Sequence, residues 1–154
     1  MTAKSRQFAK NWRFVAMSVF FVASLSGCEA LIGLLGLPIT TVRLVNDSDF
    51  AIRVTVVYAD DQNLPREILE EVGTHLEYDL AAGQVASFAR DCDALQIVAI
   101  ERAELMVIGG SGPSAESETL RDGADFGCRD IITFTFDHSD AVTDFDVTAS
   151  VEDR

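Results

Sequence analysis

The sequence predicts an all-β domain, a small antiparallel β-sandwich that is immunoglobulin-like in general architecture and carries one short helix. Three observations lead there. Apolar and polar residues alternate with period two through most of the chain after Thr40. Clusters of turn-forming residues interrupt that alternation at short intervals. No strands alternate with helices of about 10 to 15 residues, which argues against a doubly wound fold. Seven or eight short strands in about 112 residues suit two facing sheets, and a small barrel is the alternative arrangement of the same strands.

Taken in order, the elements begin with an address. Residues 1–13 carry Lys4, Arg6, Lys10 and Arg13, and residues 14–25, FVAMSVFFVASL, form an apolar run too short to cross a bilayer comfortably. Leu25-Ser26-Gly27-Cys28 follows at once. This segment resembles the signal of bacterial lipoproteins, in which a leucine and two small residues precede the cysteine that becomes lipidated. The resemblance implies a diacylglycerol on the Cys28 sulfur, cleavage between Gly27 and Cys28, and acylation of the new amino group. Glu29 stands where an aspartate would imply inner-membrane retention, so the resemblance implies the outer membrane of a two-membrane bacterium. The resemblance covers only the first 29 residues. Two or three acyl chains, at about 0.8 kcal/mol per buried CH₂, suffice for stable attachment without a spanning helix. The alternatives are a secreted, unlipidated chain and an uncleaved helix running on through Leu37, which Glu29 would interrupt at considerable cost. The resulting division is a signal peptide over 1–27, a lipidated apolar tether over 28–39, and a domain over 40–154.

In the domain, Thr41–Val45 and Phe50–Tyr58 read as two strands around the polar turn Asn46-Asp47-Ser48-Asp49, and hence as a hairpin. Leu64, Ile68 and Val72 are four apart, between Pro65 and Gly73, which favours a short surface helix over a long loop. Leu76, Tyr78 and Leu80, then Val85–Ala89, flank Ala81-Ala82-Gly83-Gln84 as a second expected hairpin. Leu95–Ala99 and Leu105–Ile108 supply one or two more strands before Gly109-Gly110-Ser111-Gly112-Pro113-Ser114, the best candidate for an exposed, mobile recognition loop. Ile132–Phe136 and Phe145–Val151 complete the set.

Charge narrows the function. The chain has 25 acidic residues against 12 basic ones, but after residue 27 there are eight arginines, no lysine and all 25 acids, a difference of −17. Such a body repels a phosphate backbone and gains nothing from counterion release, so nucleic acid is not an expected partner. Its richness in Val, Ile, Leu and Phe separates it from disordered acidic segments. An acidic surface favours solubility and repels anionic lipid, holding the domain off the membrane beyond its anchor.

If Cys28 is lipidated, Cys92 and Cys128 are the only pair left for an intrachain disulfide, which an exported compartment permits; two buried free thiols are the alternative. A bridge would close a loop of about 35 residues and contribute roughly 3 to 4 kcal/mol.

No catalytic residue, cofactor or metal is assigned. Asp91, Asp93, Asp122, Asp125, Asp137, Asp140, Asp144 and Asp146 supply oxygen ligands for Ca²⁺, yet they match no EF-hand spacing, and a solvated acidic face explains them. His75 and His138 belong to no zinc motif. Ser111 sits in Gly-Ser-Gly, not Gly-x-Ser-x-Gly, and His138-Ser139-Asp140 reads as a turn, because triads assemble in space rather than from consecutive residues. The expected function is a membrane-anchored, noncatalytic binding or structural domain of the cell envelope that meets a protein or glycan. A small hydrolase using paired carboxylates is the alternative.

Overall fold

The computed structural model describes residues 37–107, 110–138 and 144–153, so Cys28, the signal segment and most of the tether lie outside the described residues. The folded unit spans Pro38–Arg154. Its alternating segments form β1 (Ile39–Asn46), β2 (Ala51–Ala59), β3 (Thr74–Leu80), β4 (Val85–Asp91), β5 (Ile97–Val107), β6 (Gly110–Ala115), β7 (Leu120–Arg121), β8 (Ile131–Asp137) and β9 (Asp146–Glu152). The one α-helix among the described residues, α1, is Arg66–Val72.

Two sheets face each other across one core, with strand orders β4-β1-β8-β9 and β3-β2-β5-β6, and β7 adds to β5 beside β6. The sandwich expected from the sequence is therefore present. It is mixed rather than wholly antiparallel, because β1 runs parallel to β8 from Thr41 opposite Ile131 to Asn46 opposite Phe136. The core comes from the inward parity of each strand, including Val42, Leu44, Val54, Val56, Phe134 and Phe136, all fully buried.

Two expected hairpins are corrected. β1 pairs with β4 and β8, and β2 with β3 and β5, so the turn after Asn46 and the turn at 81–84 each carry the chain from one sheet to the other. Alternation sets which face a residue takes and leaves the pairing partner open, which is why the two arrangements look alike in sequence. The arches lie side by side and are tied through Asn46, whose N–H donates to the Gln84 carbonyl at 3.0 Å and whose carbonyl accepts from the Gly83 N–H at 2.9 Å. Gly83 holds a φ of +70°, where a side chain would be strained.

A β-bulge explains a further difference. Thr55 faces Arg102 while the adjacent Val56 faces Ile100, leaving Glu101 as the extra residue of β5. The inward parity thus shifts from Val98 and Ile100 to Ala103 and Leu105, so one continuous 11-residue strand looks like two. The proposed mobile recognition loop is also corrected. Residues 110–115 form β6, with Gly110, Ser111, Ser114 and Ala115 paired to β5. Its glycines serve a close strand approach as well as a turn, since a Cβ on Gly112 would lie 2.8 Å from the Leu105 carbonyl oxygen.

The helix expected from the Leu64–Val72 spacing is present and packs Leu69 onto the outer side of the second sheet, over Val57, Ile97 and Ala99. Gly73 ends it: a Cβ there would lie 2.5 Å from the Leu69 carbonyl oxygen and 2.6 Å from Val57 Cγ2. Arg66 then closes the gap between β6 and β7. Its guanidinium donates to the carbonyls of Ser117 and Ile100 and pairs with Glu70 and Glu116, while Ser117 Oγ accepts from the Ile100 N–H. Arg66→Met keeps the aliphatic stem but removes these donors, and we expect a loss of about 1 to 2 kcal/mol in urea unfolding. A loss below about 0.3 kcal/mol would assign the position to packing alone.

Candidate functional site

The end of the sandwich opposite the arches gathers the chemistry. β1 begins here, β2 and β4 end here, and the chain turns through a 3-10 segment, Cys92–Ala94, before β5. Cys92 is bonded to Cys128, with Cα atoms 5.3 Å apart, so the expected disulfide is formed. The bridge joins the end of β4 to the loop before β8, the two strands that flank β1.

Ala86, Phe88 and Arg90 share one parity on β4 and point inward, which directs a guanidinium into the open side between β4 and the β2–β3 pair. Arg90 Nε donates to the Tyr58 hydroxyl at 2.8 Å, and Nη1 donates to the Ala89 carbonyl at 2.8 Å. Its Cζ lies 5.4 Å from the ring centroids of both Tyr58 and Phe88, within cation–π range. Tyr78 stacks on Phe88 at 6.3 Å. Burial raises the Tyr78 pKa, the nearby Arg90 charge opposes that rise, and Tyr58 adds to it. Sequence reading missed Arg90, although its parity with Ala86 and Phe88 was the available signal.

Two adjoining depressions open at this end. One, about 300 Å³, is lined by Tyr58, Ala59, Asp60, Val72, Gly73, Thr74, Arg90 and Ala94. The other, about 370 Å³, is lined by Pro38, Asp60, Asp91, Cys92, Asp93 and Ala94. Asp60, Asp91 and Asp93 are all exposed, so water screens them from one another.

Three of the remaining acidic candidates bond nearby backbone N–H groups. Asp125 Oδ2 accepts from the Arg121 N–H, Asp137 Oδ1 from the His138 N–H and Asp146 Oδ1 from the Val147 N–H. Asp130, a residue the sequence reading passed over, is buried and accepts from the Gly127 N–H at 2.6 Å. Among the described residues, no three His, Cys, Asp or Glu side chains are grouped so as to hold a metal ion. The two imidazoles do not meet: His75 lies 3.1 Å from Glu101, whereas His138 packs edge-on against Phe50 near the arches. Ser139, Asp140 and the Ser111 side chain lie outside the described residues. Among the described residues no helix is long and apolar enough to cross a membrane.

No protein-family model matches the sequence, and no curated protein matches it. Solved structures share a general likeness. The chain is similar to a protein from Eubacterium rectale solved by NMR, at 15% identity and a TM-score of 0.42, over 73% of this chain and 89% of that one. It is similar to the T6SS lipoprotein TssJ1 from Pseudomonas aeruginosa, at 8% identity and a TM-score of 0.44, over 77% and 98% of the respective chains. It is also similar to the membrane-binding domain of pneumolysin, at 11% identity and a TM-score of 0.46, over 75% and 99%. None of these is close enough to lend this chain a function.

Proposed function

We propose that the protein is a lipid-anchored lipoprotein of the bacterial cell envelope, held at the outer membrane through Cys28, whose sandwich is a binding or structural domain without catalytic chemistry. One observation carries the anchor. Cys92 and Cys128 are consumed by their disulfide, which leaves Cys28, inside Leu25-Ser26-Gly27-Cys28, as the one cysteine of three outside that bridge.

The noncatalytic reading rests on the site's exposure. A carboxylate pair that divides acid and base roles needs environments that push the two pKa values apart, usually through burial of one partner. Asp60, Asp91 and Asp93 are the carboxylates lining the depressions, and solvent reaches each of them. Hydrolysis by paired carboxylates is therefore the weaker reading.

Cys28→Ser in the full chain tests the anchor. We expect wild type to sediment with the outer-membrane fraction and incorporate labelled palmitate, and the variant to lose both while keeping the Cys92–Cys128 bridge by non-reducing mass measurement. Palmitate incorporation that persists in the variant, or an unlabelled wild type, overturns the proposal.

A further inference from the structure

Arg90 is a half-buried charge set against two aromatic rings and a phenol hydroxyl. Three arginines meet carboxylates, Arg53 with Asp79, Arg66 with Glu70 and Glu116, and Arg102 with Glu104, while the Arg121 guanidinium donates to the Gln62 and Leu64 carbonyls. Arg90 has no carboxylate partner among the described residues, although acids outnumber arginines about threefold after residue 27. Its Nε and Nη1 are held by Tyr58 and the Ala89 carbonyl, and two rings fix the plane of the guanidinium. The group is thus oriented before any ligand arrives, so little rotamer entropy remains to be lost on binding.

Asp60 lines the same 300 Å³ depression and is exposed, and no ion pair joins it to Arg90. Two opposite charges share one recess without neutralising each other. Val72, 64% exposed on α1, supplies an apolar wall together with Ala59 and Ala94. We propose that this recess binds a small zwitterion of the α-amino-acid class with a short apolar side chain, its carboxylate on Arg90, its ammonium on Asp60 and its side chain against Val72 and Ala94. This deepens the binding-domain reading and depends on that part of it.

Charge selects the class. A phosphate or other multiply charged anion meets Asp60 and the adjoining Asp91 and Asp93, within a body whose formal charge is strongly negative. A lone carboxylate meets the Asp60 repulsion without compensation, and a lone ammonium meets Arg90. Only a ligand bearing both charges finds both walls favourable. A recess of about 300 Å³ has room for one amino acid of this size.

The test uses the lipidated full-length product in detergent, titrated with L- or D-alanine and followed by amide NMR, with acetate and ethylammonium as single-charge controls. We expect saturable shifts at Gly73, Thr74 and Ala94 with one alanine enantiomer or both, and at least tenfold weaker binding of either control. Arg90→Gln should abolish the shifts. Because Arg90 also braces the aromatic rings, Asp60→Asn on the exposed rim is the second variant, expected to keep the native spectrum and weaken alanine roughly tenfold while leaving acetate no weaker. Absence of shifts at 20 mM alanine, or equal affinity for alanine and acetate, or an Asp60→Asn protein that binds alanine as wild type does, overturns the proposal. Failure here with palmitate still on Cys28 removes the recess and leaves the anchor standing; alanine binding by an unlipidated wild type does the reverse.

Discussion

Asn46→Ala should lower the unfolding free energy by about 3 to 5 kcal/mol, and Asn46→Asp by at least as much. Asn46 has no exposed surface. Its Nδ2 donates to the carbonyls of Phe50 at 2.8 Å, Ala81 at 2.9 Å and Leu80 at 3.2 Å, while Oδ1 accepts from the Ser48 N–H at 3.1 Å and hydroxyl at 2.6 Å. One amide therefore joins the end of β1 to both arches. Removing it leaves carbonyls and a hydroxyl in a buried corner without their donor or acceptor, and such groups cost about 1 to 3 kcal/mol each when water cannot replace the partner. Aspartate keeps the shape and the Oδ1 acceptor but turns the donor into an oxygen facing three carbonyls, so the substitution conserves volume and reverses the electrostatics. Urea unfolding of the two variants checks this. A loss under about 1 kcal/mol for alanine would mean that water enters the corner and that the arches hold without the pin.

The same residue shows how far the sequence could be read. Asn46-Asp47-Ser48-Asp49 announces a turn, because short polar side chains compete for local backbone groups. It does not announce an arch, since the decisive bonds go to Leu80 and Ala81, more than 30 residues away. Face assignment was legible wherever parity was unbroken: Val54 and Val56 on β2 or Phe134 and Phe136 on β8 are inward as their alternation requires. It was obscured at Glu101, where one bulged residue reverses parity in mid-strand. The recess was the least legible feature. Arg90 belongs to β4, Tyr58 to the end of β2 with Asp60 just past it, and Val72 to α1, so only the sheet topology brings them together. The disulfide was legible by contrast, because once Cys28 is assigned elsewhere only one pairing remains.

Reduction of that disulfide, or the double substitution Cys92→Ser with Cys128→Ser, should cost about 4 kcal/mol, because a cross-link between residues 36 apart restricts the unfolded chain by that amount in the loop-entropy account. Topology gives the loss a location as well as a size. β4 and β8 both pair with β1, and the bridge joins them around the start of that strand. There the Cys92 N–H donates to the Pro38 carbonyl at 2.9 Å, the Thr41 N–H donates to the Asp130 carbonyl at 3.1 Å, and the Thr40 hydroxyl lies 3.7 Å from the Cys92 sulfur. Without the bridge the flanking strands can part locally, and β1 loses partners on both sides at the point where residues 28–39 lead into the domain. Amide exchange in the reduced protein should therefore rise most at Thr41 to Arg43 and least beside Asn46, where the arches still hold the far end. If exchange rises uniformly along β1, the bridge acts only on the unfolded chain. If it rises first at this end, the disulfide also braces the strand that carries any load from a membrane anchor, with β1 loaded along its length against β8 on one side and β4 on the other.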